Sequence, residues 1–207
     1  MLKLYQIIFL FIFLFLSCNS NPNKIDRNMT PSIEAYENRK IYRELTVAII
    51  DSIEDMQLLQ VVFDNLSEQL PKDYSKHYDF ITLKFNSSQQ AIYLSWWLEA
   101  EVNNGGFNQY FANTDGQYAE LLPSLLNKMK AYKISNLVKD ANLIYNKHYQ
   151  SITQNQDGTV EEFSKSYEDN PLNDLDNKFY KLYESENLTQ KQIDFIRNHK
   201  EDFVTKD

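Results

Sequence analysis

Glu99-Ala-Glu-Val-Asn-Asn-Gly-Gly-Phe-Asn-Gln-Tyr-Phe111 is the stretch whose reading decides the fold. It holds Gly105 and Gly106, two of only four glycines in the chain, side by side where a strongly apolar helical pattern stops. Glycine this scarce marks backbone that other residues would not suit. Upstream, Ala91, Leu94, Leu98 and Val102 fall on one helical stripe, widened by Ile92, Trp96 and Trp97. A helix apolar round so much of its circumference belongs at the centre of a core. Asn86-Ser87-Ser88 offers N-cap oxygens for its start. Asn104 followed by Gly105 predicts its end, with Gly105 in the left-handed conformation. Phe107 to Phe111 then starts a new short helix, stopped by Asn113-Thr114-Asp115-Gly116.

Outward from this corner, the periodicity stays helical. Thr30-Pro31 fits an N-cap with proline at the first helical position. Ser32 to Leu70 contains no glycine or proline, and Val47, Ile50, Ile53, Leu58, Val61, Val62 and Leu66 recur at spacings near three and four, predicting one long or two shorter helices. Asp79 to Phe85 alternates like a short strand, but no second strand exists to pair with it, so the segment reads as an extended connection. Residues 117–131 read as helical with Pro123 marking a kink or a restart. Ser135 to Tyr149 makes an amphipathic helix, and 153–171 a long polar loop. Two helices close the chain, Leu172 to Glu186 and one from Thr189, whose spacing to Gln192 suits a capping box. The fold class is all-α, a single globular domain of about six to eight helices over residues 31–207.

The front end is an address. Lys3 precedes an unbroken apolar run from Ile7 to Leu16, and Ser17-Cys18 follows. Ten apolar residues fall well short of the roughly 20 that a membrane-spanning helix needs. Residues 1–17 therefore read as a signal peptide, and Cys18, the chain's only cysteine, as the lipidation site of a segment resembling the lipobox of bacterial lipoproteins. An ordinary secretory signal or an uncleaved anchor are the alternatives. Residues 18–30 would then be the lipidated cysteine and a flexible polar tether, with the domain held at a bacterial membrane on the periplasmic or surface side. Such a chain has no thiol left for a disulfide, and its stability must come from a core for which 43% hydrophobic and 14% aromatic residues are ample.

The formal charge is −8, and it is uneven: residues 157–207 carry 13 acids and 7 bases, against 16 and 13 over residues 18–156. An acidic surface disfavours direct contact with nucleic acid or anionic lipid and favours a basic protein partner. Simple solubility is the plainer explanation of the same charge.

Residues Trp97, Glu99, Glu101, Val102, Asn103, Asn104, Gly105, Gly106, Phe107, Gln109, Tyr110, Phe111 and Asn113 together resemble the motif of the bacterial DNA-mimic protein family. The likeness is strongest over residues 86–150 and returns at Leu175-Asp176 and Phe179-Tyr180. It implies a helical fold and an acidic protein that occupies the DNA-binding surface of a transcription regulator. Mimicry of that kind resides in surface carboxylates spaced like phosphates, not in the Asn-Asn-Gly-Gly motif. A lipidated protein outside the cytoplasm cannot meet a cytoplasmic regulator, so the signal peptide argues against literal mimicry of that target.

The chemistry of the motif reads as architectural first. Glu99 and Glu101 are two residues apart, so on a helix their side chains diverge by roughly 200° and cannot share a reacting atom. Glu101 sits beside the apolar stripe and needs donors, for which the Asn103–Phe107 turn is the nearest supply. Asn103, Asn104, Gln109 and Asn113 form an amide cluster that would satisfy backbone at a tight corner or line a ligand groove. Tyr110 and Phe111 read as core. His77, His148 and His199 lack metal-ligand spacing, and no nucleophile elbow or phosphate loop is present. The sequence thus predicts no catalytic residue, no cofactor and no metal, but a lipid-anchored acidic module that binds or inhibits a basic protein. A small-ligand or envelope-sensing domain using the corner after Asn104 is the alternative.

Overall fold

Residues 36–154 and 159–205 are described by the computed structural model. The expected signal peptide, Cys18, the expected tether and the expected Thr30-Pro31 cap lie outside the described residues. The Thr46 hydroxyl accepts from Ile49 N at 3.2 Å and opens α1 (Val47–Ser52). Ile53 is extended and separates α1 from α2 (Asp55–Glu68), so the expected long helix is two. Arg197, from the far end of the chain, donates to Ile50 O and Ile53 O at 2.6 Å each and to Asp55, satisfying carbonyls that the break leaves open. α2 buries Leu58, Leu59, Val62, Phe63 and Leu66 on one face.

After Pro71, a 3-10 turn (Tyr74–Lys76) leads into α3 (His77–Lys84). This corrects the extended connection expected over 79–85. With no neighbouring strand to take its backbone groups, the segment satisfies them internally. The Gln90 side-chain amide then donates to the carbonyls of Ile81, Thr82 and Phe85 at 3.0–3.2 Å, closing the helix end.

α4 (Ser87–Thr114) is the central element, packing against α2 and against the later helices. Its start is a full capping box: Asn86 Oδ1 accepts from Ser88 N and Gln89 N, and Gln89 Oε1 accepts from Asn86 N at 2.9 Å. α5 (Leu122–Lys128) carries Pro123 in its first turn, a restart rather than a kink. α6 (Tyr132–Lys147) and the short α7 (Tyr149–Thr153) follow. The expected polar loop contains a further short helix, α8 (Val160–Lys165), capped by Thr159. α9 (Asn173–Leu182), α10 (Leu188–Asn198) and a 3-10 turn (Lys200–Phe203) complete the chain.

The capping box expected at Thr189 is not formed. Asn187 caps α10 instead, its side chain accepting from Gln190 N at 2.9 Å. Thr189 and Gln192 are drawn instead to the half-buried Glu99, whose carboxylate they supply with donors. Leu45 and Thr205 tie the two ends of the described domain together through paired hydrogen bonds at 2.9 and 3.0 Å.

The all-α class holds: among the described residues there are ten α-helices, seven of them of seven residues or more, and no strand. No helix among them is long and apolar enough to cross a membrane. Phe107, Phe111, Phe179 and Phe203 are fully buried, with Phe107 edge-on to Phe179 and Phe111 stacked on Tyr145.

Candidate functional site

The double glycine divides α4 into two helical segments that meet at a kink, in keeping with the end expected after Asn104 and the new helix expected from Phe107. Gly105 has φ −152° and ψ 28°, and Gly106 has φ 72° and ψ −175°, after which the helix resumes. The positive φ therefore falls on Gly106, which corrects the left-handed assignment to Gly105. Gly106 occupies a region open essentially to glycine alone. Gly105 is required for space: a Cβ there would meet the Gln109 side chain and lie 2.6 Å from the Tyr167 hydroxyl.

A break in a buried helix strands backbone donors and acceptors, and residues from the C-terminal third take them up. Asp176 Oδ1 accepts from Phe107 N at 2.8 Å, so a carboxylate stands at the start of the resumed helix, where the dipole favours it. The Tyr167 hydroxyl donates to Gly105 O and the Tyr180 hydroxyl to Val102 O, each at 2.9 Å. Below them, Asn108, Ser166 and Asn170 form a closed amide–hydroxyl network at 2.7–3.0 Å, and Asn170 Oδ1 accepts from Leu172 N.

The two glutamates face different neighbourhoods. Glu99 Oε1 accepts from the hydroxyls of Tyr183 and Thr189. Gln192, with its amide nitrogen turned to the carboxylate, donates to Glu99 Oε2 at 3.1 Å and accepts from Ser95 Oγ at 2.9 Å. Glu101 Oε2 accepts from Gln109 Nε2 at 2.6 Å and Asn113 Nδ2 at 2.7 Å. Its donors are thus residues eight and twelve positions further on, a correction to the Asn103–Phe107 turn named as the nearest supply. Burial pushes both carboxyls above the usual range, and their hydrogen bonds oppose the rise. Burial likewise raises Asp176 to about 6, against the pull of Phe107 N–H.

The structure does not bring the four amides round one groove. Gln109 and Asn113 are turned onto Glu101, Asn103 is hydrogen-bonded to Tyr183, and Asn104 is half-buried. Tyr110 is buried, and its hydroxyl finds no partner. Among the described residues no group of three or more potential metal ligands exists. Asp176, Tyr167, Tyr180 and Tyr183 escaped the motif reading. Asp176 and Tyr180 lie within the stretches that resemble the family, but nothing local tells that they reach back to α4.

Trp97, Asn113 and Thr114 lead from this corner to a cavity of about 530 Å³, bounded by α2, the 3-10 turn, α3 and α4. Phe63, Tyr93 and Trp97 line it together with Tyr74, Tyr78 and Tyr118.

A family model described as DMP19-like protein matches residues 83–199, from the last turn of α3 to the end of α10. That span is more than half of the chain and encloses the break and all its braces. No curated protein and no solved structure matches the chain.

Proposed function

The chain belongs to the DMP19-like protein family, the DNA-mimic family that its motif resembles, and from this we propose that it is an acidic helical module that binds a protein with a basic surface. The observation that carries the reading is the disposition of the acidic C-terminal third. Glu161, Glu168, Asp169, Asp174 and Glu184 stand exposed on the segments that also brace the helix break. Rigid presentation of carboxylates suits capture of a DNA-binding type of surface, because preorganised charges lose little freedom on binding. The half-buried Asp176 and the buried Glu186 contribute to the fold instead, the latter accepting from Ile134 N.

In this reading Cys18 carries a lipid, and the partner is met in the cell envelope rather than in the cytoplasm. The module binds and does not catalyse. The corner after Asn104, the alternative seat for a small ligand, has its carboxylates and most of its amides engaged internally, which favours the protein-binding reading.

The test is affinity capture from envelope extracts with the intact chain at low and high salt. A partner retained at low salt, released at high salt and displaced by duplex DNA supports the proposal. Capture unaffected by Glu168→Gln, Asp169→Asn and Asp174→Asn combined would overturn it.

A further inference from the structure

The aromatic cavity is separate from the exposed acids and has its own chemistry. Its volume of about 530 Å³ is that of a small-ligand site. Its floor is a run of packed rings: Phe63 stacks on Tyr93 with centroids 5.2 Å apart, and Tyr93 leans on Trp97 at 6.5 Å. The walls are two further ring pairs, Tyr78 with Tyr118 at 5.7 Å and Tyr74 with His77 at 4.8 Å. Tyr74 and Tyr78 are 51% and 42% exposed, large apolar area left in water at the mouth.

The charge of the lining is opposite to that of the chain. Among the described residues that line the cavity none is a carboxylate, and Lys72 is the one with a fixed charge. No ion pair among the described residues involves Lys72. The nearby Asp73 is occupied by Ser75 and lies 3.7 Å from Lys76, and Asp79 is exposed on α3. His77 donates its Nε2–H to Pro71 O at 2.9 Å, which fixes its ring against the rim.

We propose that this cavity binds a small aromatic anion, its ring system between the Tyr78–Tyr118 and Tyr74–His77 walls and its carboxylate on Lys72. Rings favour offset or edge contacts with such a body, and a single ammonium at the rim supplies orientation. Long-range repulsion from the net acidic surface is damped beyond about 8 Å at physiological salt.

Trp96 and Trp97 are the only tryptophans, so intrinsic fluorescence reports on this region. Trp97 lines the cavity and Trp96 stacks on Phe63. The intact chain is titrated with 2-naphthoate and with its neutral analogue 2-naphthamide. Saturable quenching is expected, with naphthoate bound about threefold or more tightly, the scale of one exposed charge contact. Lys72→Gln should abolish that preference and leave naphthamide binding unchanged. Tyr78→Ala, at an exposed site that cannot unfold the core, should weaken both several-fold, and Tyr74→Ala is the second such variant. Absence of saturable binding, equal affinity for the two compounds, or a preference that survives Lys72→Gln would each overturn the proposal. Because none of these residues carries the acidic surface, failure here leaves partner capture intact, and the two readings are separately decided.

Discussion

Asp176 stands in the space that a side chain on Gly106 would fill: a Cβ built there would lie 2.6 Å from the Asp176 carboxyl carbon, while Oδ1 holds Phe107 N at 2.8 Å. The positive φ of Gly106 and the carboxylate of Asp176 are one device, since the first opens the path by which the second reaches the backbone. The helix can then turn a corner in the core without leaving its amide unpaired.

Gly106→Ala is therefore expected to destabilise the fold by about 3 kcal/mol, from a glycine-only backbone conformation together with displacement of the carboxylate. Gly105→Ala, at a negative φ and against movable side-chain ends, should cost less. Urea unfolding of the two variants measures the order. A larger loss at Gly105 would contradict the geometry.

Glu101→Ala leaves the amides of Gln109 and Asn113 facing an empty acceptor position, with a predicted loss of roughly 1–3 kcal/mol. An unchanged melting curve would show that these amides are satisfied elsewhere.

The raised carboxyls predict a pH dependence of stability. Asp176 is held near 6 in the fold against 3.8 ordinarily, so the folded state binds its proton more tightly. The contribution is complete below about pH 4 and is lost as pH rises through about 6. Glu99 and Glu101 shift in the same direction for the same reason, burial. The thermal midpoint should thus be higher at pH 5 than at pH 7.5. Asp176→Asn, which keeps an acceptor for Phe107 N but does not titrate, should flatten the difference. A profile identical to that of the parent chain would remove Asp176 as its source.

Asn108 and Asn170 share one closed network although 62 residues apart. Alanine at each, singly and together, should reveal a coupling energy of about 0.5–2 kcal/mol. Strict additivity would mean that the two amides act independently.

Cys18→Ala should move the protein from the membrane fraction to the soluble fraction if a lipid on this cysteine is the anchor. Retention at the membrane would instead identify the apolar run Ile7–Leu16 as an uncleaved anchor.

Much of the architecture is legible locally. The Ala91–Leu94–Leu98–Val102 stripe, the Asn86 cap and the break at the double glycine are written in spacings of three and four residues and in the scarcity of glycine. Residues 79–85 misread because a short alternating pattern fits strand and helix alike, and only the neighbours settle which satisfies the backbone. Thr189 misread because its hydroxyl serves the half-buried Glu99 carboxylate rather than a local cap. The burial of Tyr110 and Phe111 followed from the apolar pattern, but the partners of Glu99 and Glu101 did not.

What the sequence determined by itself is therefore the helical class, the central helix and the place where it must bend, since these depend on periodicity and on backbone freedom within a few residues. What only the tertiary structure decided is which glycine takes the positive φ, which side chains close the break and where the aromatic rings enclose a cavity. The braces Asp176, Tyr167 and Tyr180 reach back over 69, 62 and 78 residues. At such separations no local propensity operates, and the pairing is set by the packing of α9 and the segment before it against α4.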